Sequence, residues 1–457
     1  MSTTITPRTP RPGVTHGHDW RFPLPEVVTL SNGLTVWLFN LPGQHVAALD
    51  LMMPIALDAE PRALEGLAGL TLHTSDEGTV PHPDGRISEL LENVGAAYDG
   101  RTANTHTFAT LDVPTTRFAE ALPLFAEILA QPELSDESVE RHKALRVAEI
   151  EQALVSGAHT ANMATRALRW QAGTRASRML GGSRETVAAL TPDDVRGWHA
   201  GHWGPDASTV VVAGDFVGQD PLALLEATLG QWQVATAPRV ASSEDQFAEL
   251  PSTRVVRLVD RPGAVQIDLR IAGVGVDRHD PDWAALQVAS VAVGGSFLSR
   301  LNKVLREELG YTYGIHLAAT PQASGGVWAV SANVRNDVAV DALDQTLKLL
   351  DLSANPLTQA EVDDAINQVV GLAPLRYDTA EAIVGQATTL ATAGVDADQV
   401  NRHHAALRQV SAEQATAAHQ RIIGAERGHV VVVGDAAQLA GPLQQAGYDV
   451  QPFELDA

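Results

Sequence analysis

Cysteine is absent from all 457 residues, which removes disulfide staples, thiolate metal sites and cysteine nucleophiles and agrees with a reducing compartment. Apolar runs are short. None reaches the length of about 18 residues needed to cross a bilayer, and residues 1–20, rich in Thr, Pro and Gly, lack the apolar stretch of a secretory signal. Basic residues are outnumbered: 32 Lys and Arg stand against 55 Asp and Glu, a net charge of −23. That balance repels phosphate backbones and anionic membrane surfaces, so neither nucleic acid nor membrane is expected as a partner, while basic peptides would be attracted. A cytoplasmic protein behind an unfolded leader is the expectation. His16 and His18 in that leader read as solvated rather than metal-binding.

What the chain does have is a hydrophobic content of 45%, enough to bury large cores, and a length that suggests two large domains. It also repeats itself. At a fixed offset of 220 residues, Leu190-Thr-Pro-Asp-Asp-Val-Arg-Gly-Trp-His199 corresponds to Val410-Ser-Ala-Glu-Gln-Ala-Thr-Ala-Ala-His419, and Val210-Val-Val-Ala-Gly-Asp215 to Val430-Val-Val-Val-Gly-Asp435. The same offset carries Pro42-Gly43 onto Pro262-Gly263 and Pro61 onto Pro281, which marks a duplicated domain. The expected organisation is a leader at 1–20, a first domain at 21–234, a linker at 235–254 containing Pro238 and Pro251, and a second domain at 255–457.

Alternating runs such as Thr35-Val-Trp-Leu-Phe39 and Val265-Gln-Ile-Asp-Leu-Arg-Ile271 predict half-buried strands. Helical periodicity behind capping residues predicts helices over 135–152, opened by Ser135, and 358–370, opened by Thr358. Strands and helices without strict alternation predict an α+β class: two homologous sandwiches, each an antiparallel-rich sheet with helices.

Gly66-Leu-Ala-Gly-Leu-Thr-Leu-His-Thr-Ser-Asp-Glu-Gly-Thr79, expected on the first long helix, resembles the inverted zinc motif of the pitrilysin/insulinase family of metallopeptidases. In that motif two histidines on one helical face bind zinc, a glutamate between them is the base, and a distant glutamate completes the ligands. Here Gly69 stands in the first histidine position and Leu72 in the glutamate position; only His73 remains. Arg146-Val-Ala-Glu-Ile-Glu151 resembles the segment of the distant ligand and places Glu149 there. Leucine has no lone pair with which to take a proton, so the resemblance implies no catalytic residue and no bound zinc in this chain. Asp99, after Glu89-Leu-Leu-Glu-Asn-Val-Gly95, stands where the family usually has Asn.

The second half keeps its pattern. Val293-Gly-Gly-Ser-Phe-Leu-Ser-Arg-Leu-Asn-Lys-Val-Leu-Arg-Glu-Glu-Leu-Gly-Tyr-Thr-Tyr-Gly314 resembles the family's C-terminal domain, in which an Arg and a Tyr reach the zinc site and hold the substrate backbone. Those positions are Arg306 and Tyr313, and Gly310 suits a C-cap that would leave Arg306 in the last helical turn and Tyr313 opening a strand. Guanidinium and phenol groups suit a carbonyl oxygen gaining negative charge. The alternative is a surface Arg paired with Glu307 or Glu308 and a packed strand Tyr.

The resemblance implies a non-catalytic, peptide-binding subunit whose partner is a homologous zinc-bearing peptidase subunit, with the zinc held by that partner. Two other readings stay open: an autonomous zinc peptidase rebuilt around His73, Glu77 and Glu149, and a structural subunit that needs neither Arg306 nor Tyr313. Val210-Val-Val-Ala-Gly-Asp215 lacks the following glycines of a nucleotide-binding turn. His199 and His202 have metal-pair spacing, but His419, the repeat of His199, has no second histidine, so scaffold is the reading. Gly294-Gly-Ser296 lacks the context of a hydrolase nucleophile.

Overall fold

The computed structural model describes residues 20–233, 247–322 and 325–455. His16, His18 and residues 235–246 of the expected linker lie outside them.

Each half builds a six-stranded mixed sheet. The first contains β1 (Glu26–Thr29), β2 (Thr35–Asn40), β3 (Val46–Met53), β4 (Ala97–Thr102), β5 (Thr107–Pro114) and β6 (Thr209–Gly214), in the order β1-β2-β6-β3-β5-β4. The second contains β7 (Val255–Asp260), β8 (Gln266–Val274), β9 (Ile315–Pro321), β10 (Gly326–Arg335), β11 (His429–Gly434) and β12 (Asp449–Pro452), in the order β12-β7-β11-β8-β10-β9. β2 and β6 map onto β7 and β11 at the offset seen in the sequence. The folded chain is therefore α+β and duplicated.

The Val-rich strands β6 and β11 each insert between two strands that precede them in the chain. They are buried on both faces, which is why they read as continuous apolar runs rather than alternating ones. One face of β6, with Val210 and Val212, joins the core of its own half. The other, with Val211 and Ala213, is covered by Ile383, Val384, Ala387 and Leu390 of the helix Ala380–Thr392, which belongs to the second half. The exchange is reciprocal: Ala161 and Ala164 of the helix Gly157–Arg169 cover Val431 and Val433 of β11. Each large apolar side chain buried this way stabilises by roughly 1.5–3 kcal/mol, so the two halves are joined by core-type packing.

Repeated residues do repeated work. Asp215 accepts the N–H of Gly43 at 2.9 Å and Asp435 that of Gly263 at 3.1 Å, closing the same turn in each half. His199 donates to the Leu129 carbonyl and His419 to the Leu350 carbonyl, both at 2.9 Å. Burial holds His199 below the ordinary histidine range and takes His419 down to about 4, so both are neutral scaffold donors. His202 stacks on Trp198 and hydrogen-bonds its carbonyl.

Both expected helix starts are present. Ser135 caps the helix Asp136–Val155, and Thr358 forms a capping box with Glu361 at the helix Gln359–Gly371. The described end of the expected linker is tied down: Phe247 stacks on Trp170 at 4.4 Å and the Ala248 N–H bonds the Arg169 carbonyl. Among the described residues no helix is long and apolar enough to cross a membrane.

Candidate functional site

The free edges β4 and β9 carry the site region. Asp99 lies in β4, and Tyr313 lies two residues before β9. The degenerate zinc motif occupies the helix Leu67–Thr74, only eight residues long and so not the long helix expected. Local hydrogen bonding sets its ends. Gly66 enters it at φ 103°, and the Ser75 hydroxyl turns back onto the Leu72 carbonyl while meeting the Tyr98 hydroxyl.

Glu60 positions the start of this helix. Its side chain is buried and accepts the N–H groups of Gly66 at 3.2 Å and Ala68 at 2.9 Å, together with two guanidinium bonds from Arg175 at 2.8 and 3.2 Å. The carboxylate complements the positive helix end, and Arg175 supplies its counter-charge. Arg175→Met would leave that carboxylate buried and unpaired, with an expected loss of about 3–5 kcal/mol measured by urea unfolding. A loss under about 1 kcal/mol would mean that water replaces the guanidinium.

On the helix itself the family's functional positions diverge. Leu72 is 1% exposed and belongs to the core of the first half. It lies against β4 so closely that a Cβ on Gly100 would meet its methyl carbons at 2.8 and 2.9 Å. Gly69 faces open space: an added Cβ would meet nothing nearer than the Thr102 hydroxyl at 4.0 Å. His73 is exposed on the same helix. Desolvation of its ring lowers its pKa; Asp99 and Glu149 oppose this, while His142 and Arg146 reinforce it. The charges of all four groups thus act on the His73 ring.

The remaining candidate ligands are engaged elsewhere. Glu149 pairs with Arg146 at 3.1 Å, one helical turn away. Glu77 accepts from Arg141 and His142; burial raises its pKa, but these bonds outweigh it and hold the carboxyl below its ordinary value. Asp76 next to it is pushed up to about 6, chiefly by burial. Among the described residues no group of three or more His, Asp or Glu side chains is arranged to hold a metal ion. With Gly69 offering no donor and Leu72 sealed away, the residues present do not fit a catalytic zinc.

The second-half pair is differently disposed. The segment before β9 winds as a π-helix, Asn302–Glu308, rather than the α-helix expected. Gly310 at φ 65° lets the Tyr311 N–H reach the Leu305 carbonyl, closing it as a C-cap. Buried Asn302 clamps the region, donating to the carbonyls of Ser296 and Ile315 and accepting the Ile315 N–H. Arg300 anchors it to the helix Gln359–Gly371 through Glu361, at 2.6 and 2.8 Å, and draws that carboxyl down to about 2.

Arg306 stands on this frame with its guanidinium 4.0 Å over the Phe297 ring and 3.4 Å from Glu307. Tyr313 does not open a strand. It sits in the loop before Ile315 and is 95% exposed, because the Thr312–Gly314 hydrogen bonds turn the chain there before β9 pairing begins. Neither Arg306 nor Tyr313 forms a hydrogen bond or ion pair with His73 or Glu149. The structure thus leaves His73 under the electrostatic influence of Asp99, Arg146 and Glu149 on the first half, and presents Arg306 and Tyr313 on the second. The Glu60–Arg175 clamp was missed in the sequence, since its members lie 115 residues apart and carry no motif.

Two α+β halves, the first carrying a degenerate form of the inverted zinc motif, are the arrangement of a peptidase-type fold. The family models agree: insulinase (peptidase family M16) matches residues 35–178, and peptidase M16 inactive domain matches 189–369. The chain belongs to this family, that of pitrilysin and insulinase. An uncharacterized zinc protease of Streptomyces coelicolor is 24% identical over 372 residues, 78% of each chain. The mitochondrial-processing peptidase subunit beta of Lentinula edodes is 24% identical over 373 residues, 76% of each. Among solved structures, a peptidase M16 inactive domain from Pseudomonas fluorescens superposes with a TM-score of 0.80 at 22% identity, covering 90% of this chain and 98% of that one.

Proposed function

We propose that this chain is the non-catalytic, peptide-binding subunit of a heteromeric zinc peptidase of the cytoplasm. In this reading it contributes Arg306 and Tyr313 to the active site of a homologous partner that holds the zinc. The observation that carries it is a contrast between two sites of one family pattern. Where the family places its base, Leu72 is 1% exposed and packed on Gly100; where the family places its substrate-holding pair, Tyr313 is 95% exposed and Arg306 stands on Phe297. An enclosed apolar side chain cannot activate water, whereas exposed phenol and guanidinium donors can bond a peptide carbonyl that acquires charge. The relative named as a subunit of a processing peptidase supports a multi-subunit setting.

The test is elemental zinc analysis of the purified chain beside a peptide-cleavage assay, with and without a co-expressed homologue carrying the complete motif. Zinc well below one per chain, and cleavage that depends on the homologue and rises when this chain is added, is the expected result. Stoichiometric zinc with cleavage by the chain alone would favour instead a site rebuilt from His73, Glu77 and Glu149. An inactive chain that adds nothing to any homologue would leave a structural role.

A further inference from the structure

The net charge of −23 points toward basic peptides, yet a cavity lined by residues of the degenerate site is basic. It has a volume of about 470 Å³ and lies between the helices Asp136–Val155 and Gly157–Arg169 and the face of the second sheet. Arg146, Arg166, Arg169 and Arg270 line it; Glu149 is the one carboxylate on its wall among the described residues.

Arg146 is paired with Glu149 at 3.1 Å, but Arg169 and Arg270 have no ion-pair partner among the described residues. Arg270, 8% exposed, donates to the Asn162 side-chain oxygen at 2.8 Å and to the Leu269 carbonyl at 2.9 Å, both neutral acceptors. The Arg169 guanidinium makes no hydrogen bond or ion pair among the described residues, and its Nε is buried without an acceptor. Its guanidinium rests 5.3 Å from the ring centre of Trp170, which is itself held by the Phe247 stack. Burial holds both arginines below the usual guanidinium range, opposed at Arg270 by the charge of Asp268, and burial together with nearby Arg257 and Arg169 takes His429 down to about 4. A guanidinium N–H buried without an acceptor, as the Nε of half-buried Arg169 is, is costly unless a ligand supplies one.

We infer that this cavity binds a carboxylate of the peptide, either an acidic side chain or the free C-terminus. Guanidinium groups pair with carboxylates through two parallel bonds, and Ile150, Met163 and Ala329 on the same wall suit the aliphatic stem that carries such a group. The inference rests on the reading of the chain as peptide-binding and adds the substrate class: acidic segments are drawn in past an acidic exterior because the local wall, not the net charge, decides.

The experiment is fluorescence anisotropy of the full chain at low salt with three labelled decapeptides: one with internal Glu and an amidated end, one with Gln and a free acid end, one with Gln and an amidated end. At least one carboxylate-bearing peptide is expected to bind roughly tenfold more tightly than the neutral one, and the difference to shrink with added salt. The first two arms separate side-chain from terminal recognition. Arg169→Gln should abolish the difference, Arg169→Lys retain part of it, and Ala329→Trp remove binding by filling the cavity. Equal affinity for all three peptides overturns the inference without reference to any variant, as does a folded Arg169→Gln that keeps the preference. The readout is binding by this chain alone, so its failure leaves the partner-activation result standing, and failed activation leaves a measured peptide preference intact.

Discussion

In the proposed complex with a zinc-bearing homologue, Arg306→Ala is expected to lower kcat/KM by about 10²–10³-fold, the usual consequence of removing one donor to a developing oxyanion. Assembly should persist. Among the described residues the Arg306 guanidinium has a ring contact with Phe297 and an ion pair with the neighbouring Glu307, so its removal strands no buried ionic partner and should change stability by less than about 1 kcal/mol. Tyr313→Phe is the cleaner probe, because it deletes one hydroxyl from a side chain that is 95% exposed. Its effect on the complex should fall mainly on kcat, since an interaction made in the transition state lowers kcat and kcat/KM together. Steady-state kinetics with size-exclusion chromatography reads both quantities. Normal turnover by both variants in an intact complex would remove the trans-acting role.

Leu72→Glu should destabilise the chain by about 3–4 kcal/mol at pH 8, because it places a carboxylate in an apolar site with no described counter-charge. The pH dependence follows from the direction of the shift. Burial would raise the folded-state pKa of the introduced acid above its unfolded value of about 4.3, so the ionisation part of the loss is absent below that value. It grows as pH rises through the folded pKa. Urea unfolding at pH 5 and pH 8 should therefore show a larger deficit at the higher pH, and an equal, small loss at both would mean that position 72 opens to water. Gly69→His should be tolerated by contrast, since a Cβ there meets only the Thr102 hydroxyl at 4.0 Å. The two lost positions of the motif are thus unequal: one is an open place, the other has been absorbed into the core.

Much of the fold was legible in the residues. The offset of 220 predicted two like halves, and the strands β6 and β11 with their turn-closing Asp215 and Asp435 lie at that offset. Ser135 and Thr358 predicted helix starts because capping is local chemistry between residues three apart. The degenerate motif was legible for the same reason: identity at fixed spacing needs no tertiary information. The length of the motif helix was not, since its start is governed by Glu60 and its end by the turn onto Leu72. Tyr313 was misplaced into a strand because alternation cannot reveal where pairing with β10 begins. The exchange of helices between halves also left no local mark; an apolar stripe shows that a helix is buried, not which sheet buries it.

By itself the sequence determined the duplication, the α+β class, the family and the loss of two motif side chains, all properties of residue type and spacing along the chain. Only the tertiary structure decided that Leu72 is sealed while Gly69 is open, that Tyr313 stands in solvent, and that Arg169 and Arg270 meet in a cavity with neutral partners or none. Exposure and counter-charge belong to neighbours brought from distant parts of the chain, within one half for Leu72 and across both halves for the cavity of Arg169 and Arg270.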